Sequence, residues 1–160
     1  MKAMRWTRGL ALALCALILA ACTGGPVKRV SEPAARIQQL TVRADGSWSA
    51  ELRIENFSSI PMRFDRFDLA LSLGEDAAGR LQGTPALSIG PESADVVVVT
   101  LQPNGPAKLA IADALSARRS VSYTLKGSLT ATPDEKKQRD FDVQRSSALS
   151  PAPGLPGVLR

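Results

Sequence analysis

The feature that most constrains the fold is an alternation of apolar and polar side chains in the middle of the chain. In the stretch SWSAELRIEN, residues 47–56, the apolar residues at 48, 50, 52 and 54 alternate with residues that are serine or charged. Successive side chains of a β-strand point to opposite faces, so this period predicts a strand with one buried face. The inward-facing residues would be Trp48, Ala50, Leu52 and Ile54. The stretches FDLALSL (67–73) and VSYTLKGSLTA (121–131) have the same period.

Two irregular stretches lie between these alternating ones. Met62 and Phe64 have the opposite parity to Phe67, which predicts a β-bulge near residues 65–66. The run ADVVVVTL (94–101) is apolar at nearly every position, which is typical of a central strand buried on both faces.

One segment has helical spacing. In PAKLAIADALSARR, residues 106–119, Pro106 suits a first helical turn, and Leu109, Ala112 and Leu115 have helical spacing. Arg118 and Arg119 would lie where the helix dipole favours cations. With glycine turns separating about seven short strands, the pattern predicts an all-β antiparallel β-sandwich with one short helix.

The first 21 residues form a different kind of segment. A basic stretch, MKAMRWTR, precedes the 13 apolar residues GLALALCALILAA. A helix that crosses the bilayer needs about 20 apolar residues, so a secretory signal peptide fits better than a membrane span. The three basic residues of this stretch account for much of the formal net charge of +5. Without them the chain has little basic excess, and we expect no nucleic-acid partner.

The residues Leu19, Ala20, Ala21 and Cys22 resemble the bacterial lipobox. This resemblance implies cleavage before Cys22, acylation of that residue, and anchoring to membrane lipid. Because Thr23 rather than aspartate follows, it also implies sorting to the outer membrane, facing the periplasm.

The chain therefore divides into four predicted parts. These are a lipoprotein signal peptide (1–21), a lipidated tether (22–35), a β-sandwich domain (36–146) and a Pro-rich flexible tail (147–160).

The residue types needed for common catalytic and metal sites are scarce. The chain has no histidine, and Cys22 is assigned to lipid while Cys15 lies in the signal peptide. A serine–lysine hydrolase is formally possible through Lys108, Lys126, Lys136 or Lys137. Four carboxylate pairs could suggest acid–base chemistry or calcium binding, but they fit charged turns and solvated strand faces better. They are Asp65 and Asp68, Glu75 and Asp76, Asp134 and Glu135, and Asp140 and Asp142. We expect no enzymatic activity, no metal and no cofactor.

The order of strands and turn residues resembles the type 2 late-embryogenesis-abundant (LEA type 2, or WHy domain) family. The matching positions are Asn56, Pro61, Gly83, Pro91, the valines 96–99, Tyr123 and Gly127. The chain departs from the family where it has NFSSIP, with Phe57 in place of the usual proline. The resemblance implies a fibronectin- or immunoglobulin-like sandwich and a non-enzymatic role in desiccation or other stress.

These observations lead to one expected function and an alternative. The expected protein is a lipid-anchored periplasmic sandwich with a stress-protective or envelope-stabilising role, possible partners being client proteins or an envelope protein. The alternative is a binding subunit of an envelope assembly complex or a carrier of an apolar ligand. An exposed apolar patch at Leu81, Leu87 and Ile89 would favour a partner site.

Overall fold

The computed structural model describes residues 27–160, which form two antiparallel β-sheets packed face to face and one helix. The strands are β1 (Ala34–Val42), β2 (Trp48–Asn56), β3 (Met62–Leu73), β4 (Asp76–Gly83), β5 (Leu87–Ile89), β6 (Ser93–Leu101), β7 (Val121–Pro133), β8 (Arg139–Leu149) and β9 (Val158–Leu159). Helix α1 (Gly105–Ser116) connects β6 to β7. The all-β sandwich predicted from the alternating pattern is confirmed. The predicted signal peptide and Cys22 lie outside the described residues.

Sheet A has the strand order β6-β2-β1-β9, and sheet B has the order β4-β3-β7-β8, with β5 also paired to β3. The strands run between two ends of the sandwich. We call the end with Ala34, Asn56, Met62 and Pro133 the N-terminal pole, since the described chain enters there. The opposite end, with α1 and the β1–β2 and β3–β4 turns, is the far pole. No helix among residues 27–160 is long and apolar enough to cross a membrane.

The core lies between the two sheets and consists of the predicted inward faces. Its largest fully buried side chains include Trp48, Tyr123, Phe64, Phe67, Leu52 and Leu69. The predicted bulge is also confirmed, because the β3–β7 register shifts between Phe64 and Arg66. The extra residue lets Phe64 and Phe67 face the core despite their opposite parity.

A side chain also links the two sheets. The Tyr123 hydroxyl on β7 accepts a 3.1 Å hydrogen bond from the backbone N–H of Ile37 on β1. Ile37 borders a register shift between β1 and β2, so the tyrosine satisfies a buried donor next to an irregular part of sheet A.

The valine-rich run 94–101 is not a central strand, as its composition predicted. It forms most of β6, which is at the edge of sheet A, and Val98 is 62% exposed. Val99 and Leu101 face the core, whereas Val98 points away from it. Composition indicated a β-strand correctly, but it does not specify how many neighbours that strand has.

The predicted helix is present, and its buried residues are not those at positions 109, 112 and 115. Ala107, Ile111 and Ala114 are buried, while Leu109 is 73% exposed. The helix packs against β4 and β7, and small alanine side chains allow a close approach. Its end also differs from the prediction, since it stops at Ser116 and has no basic residue in its last turn.

The flexible tail predicted for residues 147–160 is wrong. Strand β8 continues to Leu149, and β9 pairs with β1 near the end of the chain. The Leu159 side chain is completely buried, which holds the terminus in the core. At the other end, the predicted tether overlaps the first residues of β1.

Candidate binding surfaces

Four of the eight carboxylates singled out in the sequence bond to neighbouring side chains, and they are Asp65, Asp68, Glu135 and Asp140. Asp65, the bulge residue of β3, accepts hydrogen bonds from Gln138 Nε2 at 2.9 Å and Thr132 Oγ1 at 2.7 Å. Arg63 Nε also lies 2.7 Å from its carboxylate. Hydrogen bonds from Gln138 and Thr132, followed by the charge of Arg63, lower the pKa of Asp65. Asp65 is thus an ionised side chain, and its hydrogen bonds link β3 to the end of β7 and to the turn between β7 and β8.

Three further carboxylates of these pairs bond to side chains of other residues. Asp68 is paired with Arg80, which lowers its pKa, and Glu135 is paired with Lys28, which lowers its pKa. Asp140 accepts a hydrogen bond from Thr130. Within residues 27–160, no three or more aspartate, glutamate, histidine or cysteine side chains are arranged to hold a metal ion.

The N-terminal pole is organised by the loop that follows β2. The Asn56 side chain is fully buried and makes four hydrogen bonds to backbone groups of this pole. Ser58 Oγ accepts a hydrogen bond from the Ser31 N–H at 3.0 Å, and Ser59 Oγ accepts one from the Arg29 N–H at 2.8 Å. These hydrogen bonds hold the segment that precedes β1 against the N-terminal pole.

An open apolar groove of about 890 Å³ lies at the far pole, between α1 and residues 150–157. Ala112, Leu115 and Ser116 of the helix form one side. The other side is formed by the segment SPAPGLPG, and Arg118 also lines the groove. Its size falls within the range of small-molecule sites in proteins.

The groove could not be found by sequence analysis because one wall was taken for a mobile tail. The sequence nevertheless contained a signal, which is the pair of glycines at 154 and 157 among the prolines of this segment. Gly154 and Gly157 adopt φ angles of +76° and +74°, which non-glycine residues rarely adopt. The repeated proline and glycine residues therefore form tight turns that return the chain to β1.

The apolar residues proposed as a possible partner patch do not form one. Leu81 and Ile89 are buried, and Leu87 is only partly exposed. They contribute to the core of sheet B instead.

The free edge of β6 is a second candidate surface. β6 pairs with β2 along its whole length, from Ser93 to Leu101, with no register shift. Within the described residues no strand pairs with the other edge of β6.

Comparisons with known proteins find the fold among solved structures only. No family model and no curated protein matches the chain. The X-ray structure of a Northeast Structural Genomics Consortium target aligns with a TM-score of 0.50 and 10% identity, covering 79% of this chain and 92% of the other. The sandwich is a known fold. At this level of identity the likeness concerns the fold alone.

Two further solved structures are similar to a lesser degree. A protein from Bordetella pertussis described as ApaA aligns with a TM-score of 0.49 and 12% identity, covering 81% of this chain and all of the other. A protein described as late embryogenesis abundant, solved in solution, aligns with a TM-score of 0.46 and 17% identity, covering 98% and 86%.

Proposed function

We propose that this protein is a lipid-anchored, non-catalytic module of the bacterial envelope. It acts by contact in a stress-protective or envelope-stabilising role, from the periplasmic side of the outer membrane. The proposal draws on the lipobox-like sequence ending at Cys22 and on the sequence resemblance to the LEA type 2 family.

The attachment of residues 29–31 to the N-terminal pole supports this proposal most directly. A lipid on Cys22 would hold this pole next to the membrane. The strands β1 and β2 run from one pole to the other, and nine residues of strand span about 30 Å. In a single copy, the far pole and its groove would then face the periplasm.

Anchoring is tested by expressing the full chain with Cys22→Ala in a Gram-negative host and fractionating the cells. We expect the variant to lose its lipid and to leave the membrane fraction. Cys15→Ala is the matched control, because that cysteine lies in the segment that processing would remove. A Cys22→Ala chain that stays in the membrane as an unprocessed precursor would contradict the proposal and indicate a retained signal anchor.

Sorting is tested separately with Thr23→Asp, which should move the lipoprotein to the inner membrane. Thr23→Ser is the control, since it keeps a small hydroxyl residue after Cys22. Unchanged fractionation of Thr23→Asp would refute the outer-membrane assignment.

The protective role is tested by drying or heating a labile enzyme with residues 27–160 at sub-stoichiometric amounts. These residues contain both sheets and the whole described core, so we expect them to fold independently. The recovered enzyme activity should exceed that obtained with an equal mass of serum albumin. Equal recovery with albumin would count against the protective role.

The groove at the far pole favours a second candidate function, which is binding of an apolar ligand or partner segment. Its lining is mostly apolar, and it is open to solvent at the end away from the N-terminal segment. Such grooves bind by removing apolar surface from water.

A fluorescent fatty acid, dansyl-undecanoic acid, tests this second function. Ala112→Phe would fill the groove from the exposed side of α1 and should abolish saturable binding. Ala148→Phe, on an exposed position of β8 outside the groove, is the matched control. No saturable binding to the unaltered protein, or equal binding by Ala112→Phe, would exclude the groove as the site.

A further inference from the structure

We propose that the free edge of β6 is a self-association surface. Two copies of this chain would pair their β6 strands antiparallel and join their four-stranded A sheets into one eight-stranded sheet.

Beyond Asp95, the edge of β6 lacks the features that normally prevent pairing. Edge strands are usually short, bulged, interrupted by proline or charged. β6 instead has nine residues in regular register with β2, and it has no charge or proline from Val96 to Leu101. The other long edge strand, β8, has charged residues at Arg139, Asp140 and Asp142.

One hydrogen bond identifies the backbone groups that face outward. The Val96 N–H donates to the Asp95 carboxylate at 2.7 Å, so it is not directed at β2. Neighbouring residues of an antiparallel strand direct their N–H and C=O groups to opposite edges. The corresponding groups of Val98 and Thr100 therefore also lie on the free edge. Asp95 covers one donor, and β4 and β5 of the other sheet approach β6 without pairing with it.

A second copy of β6 is a suitable occupant because an antiparallel strand pair is two-fold symmetric. Residues that oppose each other in such a pair point to the same face of the sheet. The two-fold axis must therefore pass midway between two copies of one residue, so that this residue opposes itself. With the axis at Val98, each Val96 opposes Thr100 of the second copy, and each Asp95 opposes Leu101. The two negative charges are thereby kept apart, and the exposed valines meet each other.

The expected association is weak. A single strand edge buries less accessible surface than the roughly 1,200–2,000 Å² that stable protein–protein interfaces bury. Two copies on one membrane would meet at a higher effective concentration. If the anchoring proposed above is correct, the two-fold axis must lie along the membrane normal. The strands of a paired module would then run parallel to the membrane surface, so pairing would replace the upright orientation proposed above for a single copy.

Sedimentation velocity and equilibrium on residues 27–160 test the pairing directly. Over concentrations from about 10 μM to 1 mM, the weight-average mass should rise towards that of a dimer. Val98→Lys places a charge on the edge and should raise the dimer Kd at least about tenfold. Val98→Pro should do the same, because the N–H it removes makes no bond to β2. Gln144→Lys adds the same charge on an exposed position of β8 and should leave the dimer Kd unchanged.

Circular dichroism first establishes that each variant is folded. Amide hydrogen exchange should then show concentration-dependent protection of the Thr100 N–H in the unaltered protein and in Gln144→Lys, but not in the two Val98 variants. A protein that stays monomeric at about 1 mM would overturn the proposal. Association unaffected by both Val98 variants would also overturn it, since another surface would be responsible. Neither result bears on lipid anchoring, because residues 27–160 exclude Cys22.

Discussion

Replacing Asn56 by alanine should destabilise the sandwich more than any other exchange of an asparagine in the described chain. Asn56 Nδ2 donates to the carbonyl oxygens of Ile60, Ile89 and Gly90 at 3.0, 3.2 and 2.9 Å. Its Oδ1 accepts the Ser58 N–H at 2.9 Å. One buried side chain thus connects the end of β2 to the start of β3 and to the end of β5.

The magnitude follows from the groups that alanine would leave unpaired. A hydrogen bond contributes about 1 kcal/mol net, and a buried group left without a partner costs about 1–3 kcal/mol. Two N–H protons serve three carbonyls here, so the bonds are not fully independent. We expect Asn56→Ala to lower the free energy of unfolding by about 3–4 kcal/mol, a large part of the 5–15 kcal/mol typical of a domain.

Asn56→Asp gives the same argument a pH dependence. Aspartate keeps the acceptor for Ser58 but directs a second oxygen at three carbonyl oxygens. Burial and these oxygens should raise the pKa of the new carboxyl above its unfolded value of about 3.9. The loss of unfolding free energy of Asn56→Asp, relative to the parent protein, should therefore be smallest below about pH 4. It should grow as the pH rises through the folded pKa of the new carboxyl.

Urea unfolding of residues 27–160, followed by Trp48 fluorescence, measures both variants. Asn104→Ala is the control, because the exposed Asn104 side chain accepts the Ala107 N–H as the cap of α1 and donates to the Ala77 carbonyl oxygen, and its loss should cost about 1–2 kcal/mol. The reasoning would be refuted if Asn56→Ala cost no more than Asn104→Ala. It would also be refuted if Asn56→Asp, corrected for the parent protein, were as stable at pH 7 as at pH 3.5.

Three further predictions concern other parts of the sandwich. Tyr123→Phe removes the acceptor of the Ile37 N–H and should cost about 1–2 kcal/mol in urea unfolding; no loss would mean that the inter-sheet bond is unimportant. Leu159→Ala should cost about 2–4 kcal/mol because that side chain is fully buried, whereas a negligible cost, like that expected for exposed Leu155→Ala, would restore the flexible tail. The lowered pKa of Asp65 should stabilise the fold above about pH 4, and this contribution should be lost as pH falls further. Asp65→Asn should flatten the acid limb of the stability–pH profile, and an unchanged limb would contradict the assigned contacts.

The fold could be predicted from the sequence because its main determinant is local. Alternation in 47–56 and 121–131 fixes which face of each strand is buried, and the parity change at residues 65–66 reveals the bulge. The buried face of α1 was harder to predict from the sequence, because residues 109, 112 and 115 and residues 107, 111 and 114 both have helical spacing. Only the distance between α1 and the sheets decides between them, and that favours the smaller side chains.

The binding surfaces could not be predicted because they depend on which strands become neighbours. The valines of β6 have the composition of a central strand, yet residues 27–160 supply no strand beyond them. Conversely, the proline-rich end has the composition of a tail, yet it supplies β9 to the opposite edge of sheet A. The unpaired edge of β6 and the paired terminal strand β9 are the two edges of the same sheet. The exposed Val98 and the buried Leu159 therefore follow from the strand order, which no local pattern in the sequence contains.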